Sequence, residues 1–144
     1  MTMNLEQAIS IASLAHEGQL DKGGEPYILH PLRVMMHLKD EKQRIVAVLH
    51  DIVEDTNLTL QDLIFKGLDC DLANVLQTLT RRKDDSYDEY LNRICFNEFA
   101  IKVKLADLED NMDMSRIKSP TGKDYERLAK YGIAREILTN ILLS

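Results

Sequence analysis

The sequence predicts an all-α fold, a bundle of about eight mostly short helices forming one domain over residues 1–144. Three observations predict it. Apolar residues recur at helical spacing through nearly the whole chain. Helix-start residues (Asn, Asp, Ser, Thr) stand repeatedly just before those runs. No segment alternates apolar and polar residues with the period of two that a half-buried strand needs.

Each element has its own signal. Asn4 with Gln7 reads as a capping box for a first helix carrying Leu5, Ala8, Ile9 and Ala12, closing near Gly18. "GQLDKGGEP" is a loop, because Gly23, Gly24 and Pro26 break any helix. Pro31 suits the first turn of a second helix, "PLRVMMHLK". Asp40 caps a third, which buries Ile45, Val48, Leu49 and Ile52. Thr59 caps a short helix that stops at Gly67. "DLANVLQTLT" is a fifth, with Leu72, Val75, Leu76 and Leu79 on one face. Ser86 with Glu89 is a second capping box, opening "YDEYLNRIC". A seventh helix runs from about Phe99 to Met112, and after "SPTG" the segment "DYERLAKYGIAREILTNILL" is long and amphipathic.

Hydrophobic residues make up 44% of the chain and charged residues 29%, ordinary values for a protein that buries a core. The net charge of −6 argues against a general nucleic-acid or membrane-surface binder, either of which wants a basic face. A small anionic ligand remains compatible with a locally positive pocket. Cys70 and Cys95 have no metal or redox spacing and read as reduced, mostly packed thiols. The N-terminal segment carries Glu6 and Glu17 instead of a basic signal-peptide region, and no apolar run is long enough to span a bilayer, so a cytoplasmic location is expected. Oligomeric state is left open.

The chemistry gathers in "LHDIVEDT", where an apolar run leads into His50, Asp51, Glu54 and Asp55. At helical spacing Asp51 shares a side with Glu54 and Asp55. Crowded carboxylates repel one another, and a divalent cation relieves that repulsion. His50 and Asp51 are suitable adjacent ligands, and Glu54 and Asp55 then sit where a water is steered or deprotonated. Two further stretches add weight: "GGEPYILHP" places His30 at a helix start, and "VKLADLEDNM" ends an apolar face with Asp107, followed one turn later by Asn111. His30, His50, Asp51 and Asp107 would make a set of two nitrogens and two oxygens from three helices.

"AHEGQLDKGGEPYILHP", "LHDIVEDT" and "KLADLEDNM" together resemble the hydrolase domain of RelA/SpoT homologues, within the HD phosphohydrolase superfamily. The resemblance covers about Leu14 to Arg116 and implies an HD-type helical bundle. It implies removal of the 3′-pyrophosphate from guanosine tetra- and pentaphosphate (ppGpp and pppGpp), with manganese as cofactor, in a stand-alone small alarmone hydrolase. By motif, His30, His50, Asp51 and Asp107 match the metal ligands, and Glu54 and Asp55 match the pair that handles the nucleophilic water. Asn111 matches a ribose contact, and Lys22 and Tyr27 fall in the loop that helps form the nucleotide pocket. Asp21 stands where many relatives have a base-stacking arginine, and "ADLEDNM" keeps Asp107 and Asn111 while departing at Leu108, Glu109 and Asp110.

The donor set suits Mn²⁺, with Mg²⁺, Fe²⁺, Co²⁺ or Zn²⁺ as alternatives. A substrate with several phosphates needs cations, and "TRRK" offers Arg81 and Lys83 as a clamp. Tyr131 is a candidate ribose or base contact, with a core tyrosine as the other reading. Lys102 and Lys104 read as solvent-facing, His16 and His37 as structural or surface residues, with His37 also a distant ligand candidate seven residues beyond His30, and the methionines at 35, 36, 112 and 114 as core filler. Two other functions compete: another nucleotide phosphohydrolase, acting on adenosine alarmones or the phosphate of NADPH, and a non-catalytic nucleotide-binding module.

Overall fold

The computed structural model describes residues 2–144. The described residues form nine α-helices: α1 (Leu5–Ala15), α2 (Leu29–Met36), α3 (Glu41–Leu49), α4 (Ile52–Asp55), α5 (Leu60–Phe65), α6 (Cys70–Leu79), α7 (Tyr87–Ile94), α8 (Glu98–Asn111) and α9 (Gly122–Leu143). A 3-10 turn, Met114–Arg116, links the last two. The all-α expectation holds; Leu20 and Pro26 make an isolated bridge and no more. No helix among the described residues is long and apolar enough to cross a membrane.

The local signals act as expected. Asn4–Gln7, Thr59–Asp62 and Ser86–Glu89 form reciprocal capping boxes, whereas at Thr121 the backbone N–H and the hydroxyl both donate to Asp124 Oδ2. Each satisfies backbone N–H groups that a helix start leaves without intrahelical partners. Pro31 is the third residue of α2, not the first, still within the turn whose N–H groups lack intrahelical acceptors.

Two helices sit at the centre. α3 packs against α1, α2, α6 and α8, and α8 against α2, α3, α6, α7 and α9. Their sequences reflect this. In α3 five successive residues, Ile45 to Leu49, are buried, so the helix is apolar all round at its end. Truncating a fully buried leucine such as Leu49 or Leu76 to alanine would cost about 2–5 kcal/mol. α8 buries Ala100, Ile101, Val103, Ala106 and Leu108, but it also buries Lys104, Asp107 and Asp110. Buried charges require partners, and those partners mark the site.

One expected helix is two. The helix after Asp40 stops at Leu49 and resumes at Ile52. The Ala47 carbonyl accepts from the His50 backbone N–H at 3.3 Å and from His50 Nδ1 at 2.6 Å. A side chain thus takes acceptor capacity that a continuing helix would use, and the ladder breaks there. Of the two free cysteines Cys95 is half-buried and Cys70 exposed, so the packed reading holds for Cys95 alone. Met36 is 64% exposed and is not core filler.

Candidate metal centre

Three elements deliver the site. His30 is the second residue of α2, His50 and Asp51 occupy the break between α3 and α4, and Asp107 lies on α8. His30 Nε2 is 2.9 Å and His50 Nε2 3.0 Å from the same oxygen, Asp107 Oδ1. One ligand atom from each of these residues lies within 4.8 Å of the others. Asp51 flanks them, with Oδ1 3.2 Å from His50 Nε2 and Oδ2 3.5 Å from His30 Nε2. The four residues expected as ligands are therefore brought together, three as a tight group and Asp51 against both rings.

The outer atoms of these side chains are all engaged. His30 Nδ1 is 2.7 Å from Asp110 Oδ2, and Asp110 is gripped in turn by Arg33 at 2.7 and 3.2 Å. His50 Nδ1 donates to the Ala47 carbonyl. Lys104 Nζ donates to Asp107 Oδ2 at 2.8 Å, and Asn111 Nδ2 to Asp107 Oδ1 at 3.2 Å. The Tyr27 hydroxyl donates to Asp51 Oδ2 at 2.6 Å. With both Nδ1 atoms committed outward, both Nε2 atoms face the carboxylates. Such outer hydrogen bonds fix the tautomer and orientation of metal-binding histidines. The donor set, two imidazole nitrogens and two carboxylates, fits a divalent cation.

The electrostatics agree. Burial alone would lower the His30 imidazole, but hydrogen bonds to Asp107 and Asp110 outweigh it and hold the pKa at about 10. His50 is likewise raised: its burial is opposed by the charges of Asp51 and Asp107. Asp107, although buried, is held well below the carboxylate range by Lys104 and His50. The carboxylates between the two rings thus favour protonation of both.

Glu54 and Asp55 follow on α4, where the Asp55 N–H bonds to the Asp51 carbonyl at 2.9 Å, so the three acids share a turn as expected. Burial raises both carboxyls, and the neighbouring Asp51 charge raises them further. Glu54 Oε1 also accepts the backbone N–H of Arg81. Gln19 donates to the Asp55 carbonyl at 2.9 Å and pairs with Nδ1 of His16, which is buried, in keeping with a structural role.

Two clefts of about 290 Å³ each meet at this centre. The first holds the four candidate ligands together with Glu54, Asp55 and Arg81. The second lies beyond His30 and includes Lys22, Asp21 and apolar side chains such as Met114 and Leu128. Tyr27, Asn111 and Tyr131 line both, which puts Tyr131 at their junction, half-buried against the core. Lys83 is exposed and lines neither cleft; the loop folds on Asp85, which accepts from the Arg82 N–H and is held by Arg93, and this leaves Lys83 outside.

The "DKGG" loop is built on its departure. Asp21 Oδ1 accepts from the Gly23 and Glu25 N–H groups, each at 2.9 Å. A Cβ at Gly23 would meet the Arg116 carbonyl at 2.9 Å, so the loop packs directly on that backbone.

Lys104, Asp110 and Arg33, which pair around the candidate ligands, were not legible as such in the sequence. Lys104 is 8% exposed, not solvent-facing. The available signal was its position three residues before Asp107 on a helix otherwise apolar around most of its circumference.

No family model matches the chain. It is 35% identical over 82 residues to guanosine-3′,5′-bis(diphosphate) 3′-pyrophosphohydrolase of Borreliella burgdorferi, covering 54% of this chain and 12% of that protein. It is 33% identical over 122 residues to the bifunctional (p)ppGpp synthase/hydrolase SpoT of Escherichia coli K12, covering 75% of this chain and 17% of that one. The Vibrio cholerae 3′-pyrophosphohydrolase is 30% identical across 93% of this chain and 20% of its own length. The chain thus spans 12–20% of the length of these curated relatives. A solved structure of a metazoan orthologue of SpoT, a protein that hydrolyzes ppGpp and plays a role in starvation responses, superposes with a TM-score of 0.75. That match has 26% identity and covers 96% of this chain and 84% of the other.

Proposed function

The chain belongs with the hydrolase domains of the RelA/SpoT homologues, and from that premise we propose that it cleaves the 3′-pyrophosphate from guanosine tetra- and pentaphosphate, giving GDP or GTP and pyrophosphate. The observation that carries the reading is the meeting of His30 Nε2 and His50 Nε2 at Asp107 Oδ1, with Asp51 against both rings and Glu54 and Asp55 one turn on.

In this reading residues 1–144 act as one HD-type unit. His30, His50, Asp51 and Asp107 would hold one divalent cation, Mn²⁺ in keeping with the family resemblance. Such an ion supplies Lewis-acid polarisation of a phosphoryl oxygen and lowers the pKa of a water. Asp107 divides its carboxylate, one oxygen inward and one on Lys104, so its orientation is set from the core side. Tyr27 does the same for Asp51.

Glu54 and Asp55 orient the attacking water and receive its proton. Their raised pKa values make them stronger bases than solvated carboxylates, which suits a proton acceptor working near neutral pH. Glu54 has one oxygen tied to the Arg81 N–H, which restricts its side chain to the cleft wall. Arg81 stands at the mouth of that cleft as a phosphate contact. The nucleoside extends into the second cleft, past Asn111 and Tyr131 at the junction and alongside Lys22 and Tyr27.

Incubation with Mn²⁺ and a nucleotide panel, following pyrophosphate and orthophosphate separately, tests this reading. Pyrophosphate from the guanosine 3′-diphosphates supports it; no release from any nucleotide overturns it. A second reading, an adenosine alarmone or the phosphate of NADPH as substrate, rests on Asp21. Its carboxylate is spent on folding the loop, so the stacking surface that an arginine gives relatives is missing here. Adenosine compounds and NADPH belong in the same panel.

A further inference from the structure

The first cleft is also lined by Arg81 and Lys130, and the proposed chemistry uses only Arg81 of the two. Lys130 Nζ lies 3.9 Å from the centre of the Tyr87 ring, and the Arg81 guanidinium carbon lies 5.6 Å from the same centre. Among the described residues neither cation forms an ion pair with a carboxylate. Lys104 stands behind them, 5.1 Å from the Tyr90 ring, with its charge already matched by Asp107. The Tyr87 hydroxyl is buried and has no hydrogen-bond partner. The ring face attracts each cation, but the two like charges repel one another and the hydroxyl beside them is idle. An anion with several acceptor oxygens would relieve the repulsion and satisfy the hydroxyl together. Lys130 shows the strain: burial lowers its pKa, and the charges of Arg81 and Lys104 lower it further.

We propose that Arg81, Lys130 and the Tyr87 hydroxyl form a seat for the terminal phosphoryl group of a diphosphate, making the cleft selective for a diphosphate over a monophosphate. The identity of the ligand rests on the hydrolase reading above. One phosphoryl group lies at the histidine and carboxylate end, and the next reaches the cation wall of the same cleft. A terminal phosphoryl carries nearly two negative charges near neutral pH, which two single cations match. A monophosphate placed at the metal-binding end leaves the seat unfilled.

Calorimetric titration of the Mn²⁺-loaded protein with inorganic pyrophosphate and with inorganic phosphate tests the seat. Wild type should bind pyrophosphate the more tightly. Lys130→Met and Arg81→Met should each weaken pyrophosphate by roughly ten- to a hundred-fold, the scale of a charge-assisted hydrogen bond, and weaken phosphate much less. Tyr87→Phe keeps the ring and loses the hydroxyl, and should weaken pyrophosphate by up to about ten-fold. Unchanged pyrophosphate affinity in both cation variants overturns the proposal, and so do equal losses for the two anions, which would indicate only a diffuse field. Because the probe is not a nucleotide, a protein inactive on the whole nucleotide panel could still show the seat; that result would sink the hydrolase reading alone.

Discussion

Lys104 Nζ sits 2.8 Å from Asp107 Oδ2, and the two residues are 8% and 4% exposed. An ammonium this buried tolerates its charge because the carboxylate is in contact, and the carboxylate stays ionised for the same reason. Asp107→Ala should therefore destabilise the metal-free protein by about 3–5 kcal/mol, the cost of a buried charge left alone. Adding Lys104→Met should recover much of that loss. Denaturant unfolding of the two variants checks it; a single mutant as stable as wild type would mean that the lysine escapes to solvent.

Glu54→Gln with Asp55→Asn keeps shape and keeps an acceptor for the Arg81 N–H, but removes the proposed base. Turnover should fall by roughly 10²–10⁴-fold while metal affinity holds, the usual scale of general-base catalysis. Steady-state rates beside metal titrations decide the matter. Proportionate loss of metal and activity would make the pair ligands or supports instead.

Tyr27→Phe deletes the hydroxyl that donates to Asp51 at 2.6 Å and leaves the ring. Freed from that bond, Asp51 should present its carboxylate less well, and metal affinity should drop by about 10- to 100-fold. Competition against a chelator of known affinity gives the number. An unchanged affinity would show that Asp51 is oriented by its backbone alone.

The metal-free centre should titrate. His30 is raised to about 10, above its ordinary value of 6.5, so its contribution to stability is complete below pH 6.5 and is lost as pH climbs through about 10. Metal must displace that proton, so apparent metal affinity should rise with pH across this window, with protons released on binding. Calorimetry in two buffers of different ionisation enthalpy measures the release; none at pH 7 would mean that the rings are already neutral.

Much of this was legible in the chain. Capping boxes such as Asn4–Gln7 and Ser86–Glu89 are reciprocal bonds between residues three apart, so spacing suffices to read them. The candidate ligands were legible because His50–Asp51 and the stretches around His30 and Asp107 each pair an unusual polar residue with an apolar helix face. The end of the helix at His50 was not, because it follows from where one imidazole turned: Nδ1 onto the Ala47 carbonyl.

By itself the sequence determined the helical class, most helix starts and which residues are candidates to bind a cation, since these depend on neighbours a few positions away. Only the tertiary structure decided the roles of Lys104, Asp110 and Lys83. Lys104 and Asp110 lie on a helix surrounded by five others, and Asp110 finds its partner in His30, 80 residues earlier. Lys83, an equally plausible cation, was carried out of the cleft by a loop anchored through Asp85 and Arg93. Whether a charge is solvated or must be paired depends on what packs over it, and in this bundle those atoms come from distant parts of the chain.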